Sequence, residues 1–428
     1  DIIFQNILLV SGKEYQLYVE MEEIINEIEE VSVTGKKDKT ILNNEMAIVS
    51  SRIFSVEETE RYAGSRGDVA RMASNFAGVS FANDQRNDII IRGNSPTGLL
   101  WRLDDIEIPN PNHFAENGTT GGVVSMLNNN TLRNSDFYTG AFPAEFSNAL
   151  SGVFDLKMRI GNFNKYELTL QSGFNGIEAG AEGPINKEKQ SSFLTYYRYS
   201  FLDLMHKLGF FSGSSVIIPE YQDFVFKINY PLNKGVLQFH SLFGKSSIFI
   251  PGKKDANKDD FDYYAIEGQN IYNYSSLGTL SVSYLHYLNK NSFLKFILYH
   301  VNQKGGTDID SIDENNTNIR IIEHFIQENK LCFVTLFSKK INQRLSFKSG
   351  LYVNKLYYKL NSKIFNNDSL KLINYLNHNK NLNNGPYLLR TFSQLKYILG
   401  NWTIVTGLSY SLFGLNNSQS IEPRFSLK

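Results

Sequence analysis

The chain has 428 residues, with Lys+Arg and Asp+Glu equal at 43 each, so its formal charge is zero. That balance removes the electrostatic case for nucleic acid or an anionic surface as partner. The single cysteine, Cys332, excludes an intramolecular disulfide and a cysteine-based zinc finger. No run of about 18 apolar residues offers a transmembrane helix, whereas 31 Phe and 24 Tyr against 2 Trp suit strands and membrane–water interfaces.

The chain opens at Asp1 inside strand-like sequence, IIFQNILLV. This is expected of a product cut at its N-terminus, with any export signal upstream. Residues 1–30 read as the tail of a small β-domain, with strands IIFQNILL and YQLYVEM around the turn VSGKE. EEVSVTG (29–35) is a short alternating segment, followed by Lys36 and Lys37.

Residues 36–160 read as mixed α/β. Ser55 and Glu58 fit a capping box for a helix near SVEET. Asp68 is placed to cap a second helix, DVARMASNF, with Val69, Met72 and Phe76 on one face. Beyond Gly78 the pattern is strands and glycine-rich turns. It includes IIIRGNSPTGLLWRLDDIEIP (89–109), where Arg92, Arg102, Asp104 and Asp105 cluster.

From residue 163 period-two alternation takes over. In KYELTLQS, Tyr166, Leu168 and Leu170 oppose Glu167, Thr169 and Gln171; in DFVFKINY, Phe224, Phe226, Ile228 and Tyr230 oppose Val225, Lys227 and Asn229. SFLKFILYHV alternates with weaker contrast. Short turns (GPINKEK, YPLNKG, LNKNS, KKINQR, LGN) interleave with longer polar stretches read as loops at 201–220, 246–273, 303–318, 361–385 and 413–420. Sorting of loops by length is the layout of an outer-membrane barrel; a soluble β-sandwich alternates too, but without that sorting. About 11 or 12 strands are expected, where a barrel around a large plug needs about 22. The chain is therefore expected to be a fragment of a longer receptor, because an open half-barrel exposes two edges.

Three stretches resemble the TonB-dependent outer-membrane receptors: EEVSVTG, similar to the TonB box; the IRGNSP turn with the LDDIEIP hairpin, similar to the plug core; and FYTGAFPAEFSNALSGVFDLKMR (137–159), similar to the segment that closes the plug. EPRFSL (422–427) resembles a mid-barrel segment of the family. Asp105 stands where the family has glycine in its LDG turn, a position Asp tolerates. The resemblance implies a mainly β fold, a transmembrane antiparallel barrel about half present behind a small α/β plug. It divides the chain into 1–28, the end of a carboxypeptidase regulatory-like β-sandwich as on Bacteroidetes-type receptors; 29–35, the TonB box; 36–160, the plug; and 161–428, the first half of the barrel.

By the same resemblance Glu30, Val31, Ser32, Val33 and Thr34 form the TonB box, able to add as an edge strand to periplasmic TonB, which works with ExbB and ExbD. Arg92, Arg102, Asp104, Asp105 and Glu145 are expected to dock the plug in a polar lumen that offers little apolar interface. Adjacent in the chain, Asp104 and Asp105 point to different sides, which argues against a catalytic pair. The apical loop PNPNHFAENGTTGG supplies Asn110, Asn112, His113, Phe114 and Glu116 as ligand candidates. Aromatic residues at 210, 211, 263, 264, 272 and 274 face either ligand or membrane interface. No catalytic residue, metal site or cofactor is expected: HExxH and GxSxG are both missing from the sequence. The expected setting is the Gram-negative outer membrane, the expected activity energy-coupled import of a scarce nutrient, a siderophore-like iron chelate foremost. Import of glycans or peptides with a surface lipoprotein stays open, as does a signalling or adhesion receptor without import.

Overall fold

The computed structural model describes residues 43–428 except 55, 66, 82–85, 117, 174–175, 210–218, 253–265, 314–316 and 367–370. The regulatory-like domain, the TonB box, Ser55 and the aromatic residues at 210, 211, 263 and 264 lie outside the described residues. The described chain forms two bodies of structure, the smaller packed against the larger.

The first is a small α/β unit. Its strands are β1 (Ser51–Phe54), β2 (Val79–Phe81), β3 (Ile89–Ile91), β4 (Leu99–Leu103), β5 (Ile106–Ile108), β6 (Asn112–His113), β7 (Val124–Ser125), β8 (Leu132–Tyr138) and β9 (Gly152–Met158). Five of them make one sheet in the order β1-β8-β9-β4-β5, in which only β4 and β9 run parallel. Helices α1 (Val56–Arg61) and α2 (Val69–Met72) lie ahead of β2. The Asp68 carboxylate accepts from the backbone N–H of Ala70 and Arg71, as its capping position predicts. The helix runs shorter than DVARMASNF and tightens into a 3-10 turn at Ala73–Asn75. Trp101 stacks on Phe154 at 4.3 Å between ring centres, and Phe137 packs beside Phe154 at 4.4 Å. This aromatic centre holds the sheet's layers together.

The second is a 13-stranded antiparallel sheet: β10 (Glu167–Gly173), β11 (Gly176–Asn186), β12 (Ser191–Tyr199), β13 (Pro219–Leu232), β14 (Gly235–Ile250), β15 (Gln269–Asn289), β16 (Ser292–Ile312), β17 (Asn318–Asn342), β18 (Leu345–Asn366), β19 (Lys371–Lys380), β20 (Tyr387–Leu399), β21 (Trp402–Phe413) and β22 (Ser418–Leu427). Helix α3 (Phe201–Lys207) follows β12. Strands β19 and β20 both pair with β18, at its two halves, and so occupy one track. Neighbours otherwise follow chain order, as in an up-and-down wall.

The alternation sorts the faces as the sequence pattern requires. Leu168, Leu170, Phe224, Phe243, Leu298 and Phe333 are exposed on the outward face, while Asp223, Val225 and Lys227 are buried on the inward one. The weak contrast of SFLKFILYHV has a cause: Ile297, Tyr299 and Val301 face inward and pack on the small unit. The loop expectation is corrected for 303–318 and 361–385, most of which is strand; in 246–273 strand covers only the two ends, to Ile250 and from Gln269, and 413–420 keeps a turn at 414–417. Strand β17 alone has 25 residues, about 80 Å of chain at ~3.3 Å per residue. A tilted membrane crossing needs only ~9–11 residues. In the projecting ends both faces meet water or protein, so the polar sequence that reads as loop is compatible with strand.

Candidate functional site: the plug–wall interface

The site is where the small unit seats against the wall, and its geometry begins with one turn. Leu103 pairs with Ile106, leaving Asp104 and Asp105 as a two-residue hairpin loop. Both take positive φ, 47° and 73°, the geometry of a type I′ turn that Asp and Asn enter more readily than other side chains. The turn aims two carboxylates at the wall. Asp104 Oδ2 lies 2.6 Å from Lys227 Nζ of β13, and Asp105 Oδ2 lies 2.5 Å from Lys295 Nζ of β16. Lys157 of β9 backs Asp105 at 2.5 Å.

Glu145 lies 2.9 Å from Lys348 Nζ of β18. Arg102 never reaches the wall. It grips Asp155 through Nε and Nη2 at 2.8 Å each, meets Glu145 at 3.1 Å and lies 4.4 Å over the Phe146 ring. It thereby orients Glu145 toward Lys348. Arg92, expected at the interface, is instead exposed on the small unit; its φ is 51° and its guanidinium lies near Thr139 and Gly140.

Burial alone would push these carboxyls up, but their cations win. Lys227 holds Asp104 well below the usual carboxylate range, Lys157 and Lys295 do the same for Asp105, and Lys348 with Arg102 brings Glu145 down to about 2. Asp136 goes the other way, pushed up to about 6 by burial and by neighbouring Asp155.

Further partners went unrecognised in the sequence. Glu107 of β5 lies 2.7 Å from Arg390 Nη2 of β20, whose guanidinium sits 4.9 Å over the Tyr352 ring, with Lys330 at 3.7 Å. Asn130 donates to Glu178 of β11 at 2.7 Å, and Arg159 pairs with Glu182 of the same strand. The signal was available: Lys295 is the single charge on a strand face that otherwise reads as neutral or apolar, and Lys227 shares its face only with Asp223. What the sequence lacks is the register that sets each opposite a carboxylate more than a hundred residues away.

The interface is also apolar, which corrects the expectation of a polar lumen with little apolar interface. Leu194, Val225, Leu242, Ile297, Val334 and Phe392 of the wall join one contiguous core with Trp101, Phe137 and Phe154. Gly244 leaves room for the Met126 thioether: a Cβ there would stand 2.4 Å from its sulfur.

At the apical end, Asn110 and Asn112 are buried, not open to a ligand. Asn110 donates to the carbonyls of Thr119 and Gly121 at 2.9 Å each; Asn112 donates to Asn110 and accepts from Asn87, which also donates to Asp68. Gly122 permits the close turn, since a Cβ there would lie 2.4 Å from the His113 carbonyl oxygen. His113 is fully buried with Nε2 2.9 Å from Asp223 Oδ2, and Arg198 binds the same carboxylate at 2.6 Å. Burial holds its pKa below the ordinary value despite Asp223; an ionised carboxylate only accepts, so Nε2 carries the proton. These three residues anchor the loop to itself and to the wall. Phe114 and Glu116 remain at the apical surface, with the Phe114 N–H on Ser246 Oγ at 2.9 Å and Glu116 on Arg86 at 2.8 Å. Alternation puts Tyr272 and Tyr274 on the wall face opposite buried Ser275 and Leu277. Among the described residues, no group of three or more His, Cys, Asp or Glu is placed to hold a metal.

A plug-like α/β unit seated by buried ion pairs against an up-and-down β wall is the fold of TonB-dependent outer-membrane receptors. The chain matches the outer-membrane transporter YddB from Escherichia coli (TM-score 0.60, 14% identity) over 88% of this chain and 58% of that one. It matches the ferric enterobactin receptor PfeA from Pseudomonas aeruginosa (TM-score 0.60, 13% identity) over 89% and 59%, and the FrpB iron transporter from Neisseria meningitidis (TM-score 0.57, 13% identity) over 89% and 61%. The chain thus spans about three fifths of the length of these structures. No protein-family profile and no curated protein matches it.

Proposed function

We propose that the chain is part of a TonB-dependent receptor of the Gram-negative outer membrane that imports a scarce nutrient by energy-coupled displacement of its plug. The carrying observation is the interface itself. Residues 36–160 act as the plug; four of its carboxylates, on Asp104, Asp105, Glu107 and Glu145, meet five wall cations on as many strands. Buried ion pairs fix register and orientation more than they add net stability, which suits a body that must seat in one position and still be movable. Residues 161–428 supply part of the barrel, and the outward Phe and Leu side chains face lipid.

Energy comes through TonB with ExbB and ExbD. The segment 29–35 is the TonB box, and residues 1–28 the end of a regulatory-like β-sandwich. The named neighbours include iron and siderophore transporters, so an iron chelate is the leading ligand class; import of a glycan or peptide with a surface lipoprotein is the second reading.

The test is Val33→Pro in the full-length protein, which removes one backbone donor from the added strand. Energised uptake should fall about tenfold or more while ligand binding to isolated outer membranes is unchanged. Uptake at the parental rate would remove the TonB-box assignment.

A further inference from the structure

On the outward face of the wall, just beyond its apolar level, three lysines stand in one lateral row. Lys245 of β14 pairs with Ser276 of β15, which pairs with Lys304 of β16, then Gln327 of β17 and Lys359 of β18. Residues in register share a face. Alternation turns this row outward, because Gly244 faces Met126 of the plug and Val301 and Tyr352 join the shared core. All three lysines are exposed. They occupy every second strand, so neighbours stand about 10 Å apart.

Among the described residues, none of the three has an ion-pair partner, and no Asp or Glu of β14 to β19 lies outward in this row or in the row on either side. The nearest outward acids on these strands, Asp308 and Glu323, lie about 13 Å further out and are already matched, Asp308 by Arg320 at 2.7 Å and Glu323 by Lys363 at 2.9 Å. Lys355, four residues back on β18, is engaged by the Gly385 carbonyl at 2.6 Å. Beneath the lysines comes an uncharged polar level, where His300 Nε2 meets the Tyr357 hydroxyl at 2.8 Å and Asn302 donates to Asn329 at 2.5 Å. Below that, Leu280, Leu298, Leu331 and Phe333 are exposed. A groove of about 480 Å³ links the levels, running past Lys245, His300, Phe243, Phe224 and Leu280 over Gly278. Above the lysines the outward face turns aromatic, with Tyr274 and Phe325 in the next row and Phe249 stacked on Tyr272 at 4.7 Å beyond it.

Scattered surface lysines need no partner. Three on one level, without a counter-charge, repel one another, and an anion held among them relieves that repulsion. Their level is where apolar surface gives way to polar, the depth at which lipid headgroups lie. Phosphate oxygens accept charge-assisted hydrogen bonds from ammonium groups, and aromatic rings offer apolar faces to sugar rings. We propose that this outward face holds a phosphorylated glycolipid of the outer leaflet. Its acyl chains lie along Leu280, Leu298 and Phe333, its phosphates meet Lys245, Lys304 and Lys359, and its sugars pack on Phe249 and Tyr272. The site depends on the outer-membrane setting and not on which nutrient passes through the receptor.

The experiment uses the full-length protein in phosphatidylethanolamine liposomes, with lysine acetylation by a soluble reagent read residue by residue by mass spectrometry. The liposomes carry bis-phosphorylated lipid A, the same lipid without phosphates, or phosphatidylglycerol; inorganic phosphate is added in a further arm. Expected is acetylation of Lys245, Lys304 and Lys359 slowed by about tenfold by the bis-phosphorylated lipid alone. Lys234 and Lys290, in turns at the opposite ends of the strands, should react equally in every arm. In the triple variant Lys245→Gln, Lys304→Gln, Lys359→Gln, binding of fluorescent lipid A should weaken by about tenfold or more. Equal protection by phosphatidylglycerol would reduce the row to a general anionic contact, and protection by inorganic phosphate to an isolated anion site; either overturns the proposal, as does no protection at all. The footprint on the native protein stands even if the triple variant does not reach the membrane. Failure of the outer-membrane reading shows separately, as protein recovered in the soluble fraction without detergent.

Discussion

At the scale of single residues, the interface is governed by what buried charge costs. Asp104 and Lys227 are 8% and 3% exposed. Removing one partner leaves the other buried without compensation, typically ~3–5 kcal/mol, whereas replacing both can be nearly neutral. Lys227→Met is thus expected to loosen the plug by about 3 kcal/mol, and Lys227→Met with Asp104→Asn to recover most of it. Protease susceptibility of the plug across a urea series, run as a double-mutant cycle, reads this directly; equal losses in single and double variants would show that the pair is not coupled. Asp136 adds a pH dependence. Its folded-state pKa of about 6 lies above the unfolded value of ~3.9, so its contribution is fully present below the unfolded value and lost as pH rises through about 6. The shift is worth at most about 3 kcal/mol. The plug's urea midpoint should therefore be lower at pH 7.5 than at pH 5, and Asp136→Asn should flatten that difference. A wild-type slope retained in Asp136→Asn would assign it to other groups.

At the scale of elements, the same strand obeys different rules along its length. Leu298 and Asp308 both lie outward on β16, ten residues apart, but Leu298 is at the apolar level and Asp308 beside Arg320. Arginine on a lipid-facing strand costs ~2–4 kcal/mol near the bilayer midplane and ~0–1 near its edges. Leu298→Arg should lower folding stability in liposomes by that larger amount; Asp308→Asn should cost under about 1 kcal/mol, since it breaks only a partly exposed pair. Equal penalties would put both residues at one depth. This change of the outward face along the strand also explains what was legible in the sequence. DFVFKINY and KYELTLQS announced strand and faces together because one face meets lipid. The stretch 361–385 read as loop because Asn and Lys crowd both faces of β18 and β19 beyond lipid. In the plug, Asp68 was legible as a cap because capping is local. Glu107 was not, because its partner Arg390 is 283 residues away. Asn110, Asn112 and His113 were legible as a turn-rich loop, but turn chemistry does not reveal that three polar side chains are consumed inside it.

At the scale of the whole molecule, zero net charge conceals a partition, with acidic groups concentrated on the plug's docking turns and basic ones on the wall. The chain entering the plug is tied into that partition. Asn43 donates its backbone N–H and Nδ2 to Asp136 Oδ1 at 3.1 and 3.0 Å, and Asn44 donates its N–H to Oδ2 at 3.0 Å. Asn44 Nδ2 reaches Glu145 Oε1 at 2.6 Å, on the carboxylate that also receives Lys348 from the wall. A pull on the chain ahead of Asn43 therefore meets Asp136 first and, through Asn44, loads the Glu145–Lys348 contact before the sheet β1-β8-β9-β4-β5 bears force. Hydrogen bonds to charged groups contribute ~1.5–3 kcal/mol each, so Asn43→Ala with Asn44→Ala should remove a few kcal/mol from this junction. In single-molecule pulling on the full-length protein from an N-terminal tether, the first rupture should shift to lower force in that double variant, with later ruptures unchanged. A first rupture at the parental force would place the initial resistance deeper, in the pairing of β1 with β8, and make the asparagines bystanders.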